Sequence, residues 1–397
     1  MQKITFILPS RNNLEFLKLA YKSIRELKYV HEILILDDAS KDGTKDWVNS
    51  LNDSNLLMYY NPGPDRIGIV GMFDKGIELA TTEIVFAFHA DMIASPNLDI
   101  NILKHLRPGT VVCATRIEPP LHPPGPEKII LNWGVFTTEY DYETNKNTFL
   151  SLESQNTGRT TNGIFAPWCM YKEDYVAIGG HDVLFAPQSK EDSDLFNRFV
   201  LKGYTVIQSW DALVYHFTSR GSRFNSAVGG APGTDSNEWI HTTTKNMRNF
   251  VRKWGTVVKH DKLMLPIISH KYNIHAIIHN CSEEHIDLLE PWFSCVYIST
   301  DLPEIGTRYI NKEQPNTKFN LLERVKLYIP EQFSMDNIDV LVEFDASKLR
   351  QESFNIIQNM SGILTDSGEI GEFELDIFRF TITSLKTYEH DLIYLPK

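Results

Sequence analysis

The residues of this chain best suited to chemistry are His89-Ala90-Asp91, the acidic run Glu191-Asp192-Ser193-Asp194, a late His216, and Arg220-Gly221-Ser222-Arg223. An imidazole and a carboxylate two residues apart on an extended segment point to the same side, which suits joint coordination of a divalent cation that holds a diphosphate. The pair equally fits a strand-end turn with a solvated aspartate. Glu191 and Asp192 can accept a proton, and in the first turn of a helix they can also simply cap it. A lone histidine such as His216 is more often structural than a ligand. Guanidinium groups match phosphate oxygens bidentately, so Arg220 and Arg223 fit a diphosphate as well as they fit a solvated loop.

The elements that must position these groups follow from hydrophobic periodicity. His89 and Asp91 close the run Glu83 to Met92, whose Ile, Val and Phe without alternating polar partners read as a strand covered on both faces. In open parallel sheets ligands bind beyond the carboxyl ends of such strands. Upstream, Ile4 to Leu8 reads as a strand, followed by a helix with Leu14, Leu17, Ala20, Tyr21 and Ile24 on one face. Ile33 to Leu36 is a second strand, with Ser40 or Asp42 placed to cap the helix holding Trp47, Val48 and Leu51. Leu56 to Tyr60 is a third, and Gly71 to Ala80 is helical. This alternation implies right-handed βαβ units.

Beyond Asp91 the alternation breaks. Pro119 to Pro126 contains five prolines and a glycine, which excludes helix or central strand and implies a surface excursion. Ile178-Gly179-Gly180-His181-Asp182 is a Gly-rich turn, Glu191 opens a helix ending at Gly203, and Val206 to Gln208 and Leu213 to Phe217 read as further strands. Near Trp254 to Pro266 the pattern restarts. Ile274 to Ile278, a helix around His285 to Leu289, Val296 to Ser299, Val340 to Phe344 and a helix from Ser347 to Met360 give a second α/β region, without a motif that carries chemistry. The expected domains are therefore 1–255 and 256–397.

At 397 residues the chain is comfortable for two cores, and its 42% hydrophobic and 23% charged residues are ordinary for a soluble protein. No stretch approaches the roughly 18 apolar residues that span a bilayer, and Met1-Gln2-Lys3 leads directly into a strand with no signal-peptide layout, so a cytoplasmic location is expected. Cys113, Cys169, Cys281 and Cys295 lack Cys-x-x-Cys spacing, which argues for reduced thiols rather than a zinc ribbon or disulfide framework. A net charge of -12 disfavours non-specific nucleic-acid binding and means that an anionic substrate needs dedicated cations.

Taken in order, these residues resemble the family 2 glycosyltransferases. The resemblance covers roughly the first 225 residues: Pro9-Ser10-Arg11-Asn12 after the first strand, Asp37-Asp38-x-Ser40-x-Asp42-Gly43-Thr44 after the second, and His89-Ala90-Asp91 in the place of an Asp-x-Asp motif. Gly179-Gly180-His181-Asp182, Glu191-Asp192-x-Asp194-Leu195 with Arg198 and Gly203-Tyr204, and His216 complete it. It implies an α/β fold of GT-A type, a mostly parallel sheet with flanking helices, followed by a smaller α/β domain. The implied activity is metal-assisted, inverting transfer of a sugar from a nucleoside diphosphate donor to an acceptor hydroxyl on a glycan or other molecule. The alternatives are a sugar nucleotidyltransferase, whose Gly-rich N-terminal signature is absent, and a non-catalytic glycan-binding or scaffold protein on a decayed transferase fold.

By this resemblance Asp192 is the general base with Glu191 beside it, and Glu191 and Asp194 raise its proton affinity. Asp91, His216 and His89 contact a Mn2+ or Mg2+ ion. Pro9, Ser10, Arg11, Asp38, Arg66 and Ala90 contact the nucleotide, with Arg220 and Arg223 on the diphosphate. Asp38 accepting from a ring N–H favours a UDP-sugar. Two departures stand out: His89 replaces the motif's first aspartate, and Phe73-Asp74 stands where many relatives carry Arg-Asn.

Overall fold

A computed structural model describes residues 2–395, which form two compact units. One comprises the chain up to Thr243 with Lys259–Ile267 and the end from Tyr394; the other comprises Thr244–Val258 and Ile268–Ile393.

The first unit opens with strict alternation: β1 (Ile4–Ser10), α1 (Leu14–Arg25), β2 (Glu32–Asp38), α2 (Thr44–Ser50), β3 (Leu56–Asn61), α3 (Gly68–Leu79) and β4 (Ile84–Ala87). It continues through β5 (Met92–Ala94), α4 (Leu98–His105), β6 (Thr110–Glu118), β7 (Ile129–Ile130), α5 (Tyr142–Gln155), β8 (Thr160–Thr161), β9 (Trp168–Tyr171), α6 (Lys172–Ala177), α7 (Glu191–Lys202) and β10 (Thr205–His216). The helix α8 (Asn237–Trp254) begins in this unit. The sheet order is β3-β2-β1-β4-β9-β6-β10-β5, with β7 on β6 and β8 on β10. β9 and β5 run antiparallel to their neighbours and the other strands of that path run together, so the sheet is mostly parallel.

Burial on both faces explains the unbroken apolar strands. Phe6, Leu8, Ile33, Ile35, Phe86 and Phe88 pack with Leu17, Ala20 and Ile24 of α1 and Leu98 and Ile102 of α4. On the opposite face α3 lies so close that a Cβ on Gly76 would fall 2.5 Å from Ile7 Cγ2. Register pairs Ser10 with Asp37, Asp38 with Asn61, and Ile7 with Ala87, so the carboxyl ends of β1, β2, β3 and β4 finish side by side.

The apolar run expected as one strand to Met92 is strand only over Ile84–Ala87. The chain turns at His89, whose carbonyl accepts from Met92 N–H at 3.1 Å, and Met92–Ala94 pairs with β10 at the sheet's far edge. Conversely, the two runs expected between Val206 and Phe217 form one strand, β10, with a register shift between Ser209 and Leu213.

The second unit holds β11 (Ile274–His279), α9 (Glu283–Leu289), β12 (Cys295–Ile298), α10 (Glu304–Glu313), α11 (Leu321–Arg324), β13 (Val325–Leu327), β14 (Val340–Asp345), α12 (Gln351–Gln358), α13 (Met360–Ser367), β15 (Gly371–Leu375) and β16 (Phe378–Ile382). Its sheet runs β13-β12-β11-β14-β16-β15, parallel over β13 to β14. The helix expected from Ser347 to Met360 is broken at Asn359 into α12 and α13. Arg252, wholly buried, pairs with Glu290 at 2.7 Å, and Arg324 reaches the same carboxylate at 2.6 Å. All four cysteines are buried and free. Among the described residues no helix is long and apolar enough to cross a membrane.

The approach of α3 to the loop before α7 depends on one residue. Gly68 has φ +80°, and a Cβ there would lie 2.3 Å from Pro187 O. Gly68→Ala is therefore expected to lower stability by about 1–3 kcal/mol in urea unfolding. Gly362→Ala, in a helix where nothing beyond the adjoining residues and the helix's own backbone lies within 4 Å of the new Cβ, should not. Equal midpoints for Gly68→Ala and wild type would contradict the packing described.

Candidate active site

A cavity of about 170 Å³ lies beyond the aligned carboxyl ends of β1, β2 and β4. β1 delivers Pro9, Ser10 and Arg11 to its wall, β2 delivers Asp38, and the loop after β3 delivers Arg66. His89, Ala90 and Asp91 come from the turn after β4, Glu191 and Asp192 from the first turn of α7, and His216 from the end of β10. Residues scattered over more than two hundred positions thus meet at one sheet edge. Arg220 and Arg223 do not line the cavity. The Arg220 guanidinium donates to Val135 O at 2.6 Å, and Arg223 pairs with Asp235, donating from Nη2 at 3.1 Å. What Arg220 offers the site is its backbone, whose N–H donates to Asp91 Oδ2 at 2.7 Å.

Asp91 and His216 form the end of a polar chain that starts at Glu118, the last residue of β6. Burial alone would push the Glu118 carboxyl up, but Arg116, His216 and Lys128 hold it well below the usual carboxylate range. Lys128 Nζ sits 2.9 Å from its Oε2 and His216 Nδ1 sits 2.9 Å from its Oε1. With Glu118 ionised, Nδ1 is the donor nitrogen of His216, and Nε2 is turned toward Asp91 Oδ1 at 3.7 Å. A neutral imidazole in that tautomer sets a nitrogen lone pair against a carboxylate, an arrangement a shared cation relieves. His89 is half-buried, desolvation lowers its pKa and favours the neutral ring, and its buried Nε2 has no hydrogen-bond partner. These donors fit a divalent ion in kind.

The expected set of three protein ligands is not assembled. Among the described residues no three His, Cys, Asp or Glu side chains are grouped to hold a metal. The His89 ring packs on Phe73 with centroids 5.6 Å apart and stands 6.4 Å from the His216 ring. Asp91 and His216 are thus the pair that faces a common point. Phe73 also stacks on His181 at 5.8 Å, while Asp74 accepts from His181 N–H at 3.0 Å, so the departure at Phe73-Asp74 is absorbed by packing against the Gly-rich turn.

Asp38 is more committed than expected. Its Oδ1 accepts from Asn61 Nδ2 at 2.7 Å and from Ile67 N–H at 2.8 Å, and its Oδ2 accepts from Gly68 N–H at 2.8 Å. It therefore fastens the start of α3 to the ends of β2 and β3. One of its acceptor positions is left for a base N–H.

At α7 the acidic residues divide. Asp194 is wholly buried against Arg198 at 2.9 Å, and Arg198 donates to Ile178 O at 3.0 Å, so this pair braces the Gly-rich turn. Glu191 and Asp192 form no ion pair among the described residues and face the cavity. Burial first, and then the Asp192 carboxylate, push Glu191 up to about 8. Glu191 is lifted because it is deeply buried beside the Asp192 carboxylate.

Glu118 and Glu238 escaped the sequence reading. Glu118 carries a usable signal, an acid ending an apolar run, as Asp38 and Asp91 do. Glu238, which contacts Arg11 at 3.1 Å from the start of α8, carries none, because only the long-range fold brings it there.

The chain matches known proteins over its first unit. Residues 5–176 match the family Glycosyl transferase family 2, and residues 132–221 match Chondroitin N-acetylgalactosaminyltransferase. Undecaprenyl-phosphate mannosyltransferase of Micrococcus luteus is 26% identical over 121 residues, 30% of this chain and 49% of that protein, so the chain spans about half the length of this curated relative. Among solved structures, the mannosyltransferase PcManGT from Pyrobaculum calidifontis, in complex with GDP-Man and Mn2+, is 19% identical with a TM-score of 0.39, covering 55% of this chain and 58% of that one. GalNAc-T7 with UDP, GalNAc and Mn2+ is 10% identical with a TM-score of 0.44, covering 64% and 48%.

Glu191 gives a pH signature. The folded group keeps its proton up to about 8, whereas an unfolded glutamate loses it near about 4.3, so the folded state binds more protons in between. The stability linked to this group is full below the unfolded value and is lost as pH rises through the folded one. The melting temperature of wild type should fall relative to that of Glu191→Gln between about pH 5 and pH 9. Parallel curves across that window would show that Glu191 is not held protonated.

Proposed function

We propose, from the match of residues 5–176 to Glycosyl transferase family 2, that the protein moves a sugar from a nucleoside diphosphate donor, UDP-linked, to an acceptor hydroxyl with inversion. The observation that carries this reading is the single cavity shared by two arginines, the Asp91–His216 pair and an unpaired Asp192. Arg11 and Arg66 suit the diphosphate end. Asp38, through its remaining acceptor position, suits the N3–H of uracil.

Asp192 acts as the general base. It takes the proton of the acceptor hydroxyl, whose oxygen forms the new bond to the anomeric carbon as the bond to the donor phosphate breaks on the opposite side. The nucleoside diphosphate departs with the bonding pair. Asp91 and His216 would hold a Mn2+ or Mg2+ ion, which when bound neutralises charge on that leaving group. Glu191, protonated near neutrality, adds no second negative charge beside the base and leaves Asp192 the group free to accept. Phe73 and Met72 line the cavity and give it an apolar wall.

Asp192→Asn keeps the side chain's size and removes the proton acceptor. The rate constant kcat should fall by about 10²- to 10⁴-fold with UDP affinity nearly unchanged. A capping role predicts the opposite, since Asn also caps helices well. Steady-state turnover within a few-fold of wild type would remove Asp192 from the mechanism and pass the role to Glu191.

A further inference from the structure

The two arginines of the cavity are already occupied by an anion of the chain's own. Arg11 Nη1 lies 3.1 Å from Glu238 Oε1, and Arg66 Nη1 is bonded to the same oxygen. Two guanidinium groups thus converge on one carboxylate at the start of α8, sharing Oε1, with Arg11 Nη1 also reaching Oε2 at 3.4 Å. Neither makes the bidentate pair that a guanidinium favours. Arg66 retains a buried Nε without a hydrogen-bond partner, and its Nη2 reaches only Gln188 Oε1 at 3.4 Å. The fork is partly used.

The space bears on the same point. The neighbour of Glu238, Trp239, lines the cavity. At about 170 Å³ the cavity is smaller than the roughly 300–1,000 Å³ usual for ligand pockets. The Glu238 side chain is about one-third exposed, so its attachment to the arginines is bordered by solvent and open to exchange with another anion.

We propose that Glu238 is an internal stand-in for a diphosphate: it holds Arg11 and Arg66 until a diphosphate takes both guanidinium groups, and its release frees the Glu238-Trp239 segment from the cavity. The inference rests on the nucleotide-sugar reading of the site. It adds that donor entry is an exchange of one anion for another. An anion tethered in place competes at high effective concentration and lowers the apparent affinity of the incoming ligand. A diphosphate offers several oxygens, where both arginines share Glu238 Oε1 and Arg11 reaches Oε2 only at 3.4 Å, so it can satisfy both forks at once.

The test is calorimetric titration of wild type and Glu238→Gln with Mg2+-pyrophosphate, UDP and uridine. Removing the internal charge should tighten pyrophosphate and UDP about tenfold, the scale of one charge-assisted hydrogen bond, and leave uridine unchanged. A clamp that merely arranges the arginines predicts weaker UDP binding in the variant, and unchanged or weaker binding overturns the proposal while leaving the donor reading intact. Failure of both proteins to bind pyrophosphate or UDP would overturn the donor reading and this inference together. Tightening of uridine to the same degree would place the effect outside the diphosphate and also overturn it.

Discussion

A carboxylate buried at the end of a parallel strand must find donors or a cation, and the way each one is satisfied shapes this protein's cavity. Asp38 takes backbone N–H groups of Ile67 and Gly68 and so fixes where α3 begins. Glu118 takes Lys128 and His216 and so turns the imidazole toward Asp91. Asp194 takes Arg198, which in turn holds the Gly-rich turn. Glu191 and Asp192 are left over. Both line the cavity, and burial favours the neutral form of Glu191.

That division is possible because the strand register brings the ends together. Ser10 beside Asp37 and Ile7 beside Ala87 make β1, β2 and β4 finish at one edge. β10 reaches the same edge from the other half of the sheet, carrying His216 and, just beyond it, the Arg220 N–H that holds Asp91. Cavity-lining groups are thereby delivered by both halves of one sheet. The second unit has its own sheet and core, and its buried Arg252–Glu290–Arg324 cluster is internally satisfied.

Much of this was legible in the residues. Unbroken apolar runs ending in Pro9-Ser10, Asp37-Asp38 and His89-Ala90-Asp91 announced a parallel sheet and its active edge, because burial on both faces leaves no other place for the polar groups. What stayed hidden depends on distance along the chain. The turn at His89, which moves Met92–Ala94 to the far edge, is set by pairing with β10 and not by local propensity. The charge partners were hidden for the same reason: Glu238 meets Arg11 across more than two hundred residues, and Arg223 is drawn to Asp235 instead of the cavity. Local proximity in sequence suggested that Asp194 would act on Asp192, whereas the helix directs Asp194 to Arg198 one turn on.

The central claim is that this cavity releases a nucleoside diphosphate from a nucleotide sugar. The direct measurement is a panel of UDP-, GDP- and dTDP-sugars incubated with the purified protein, with liberated nucleoside diphosphate quantified in Mn2+ and again in excess EDTA. The account predicts release from a UDP-sugar that depends on Mn2+ and disappears in Asp91→Ala. Release from no member of the panel, or release undiminished by EDTA, would contradict it.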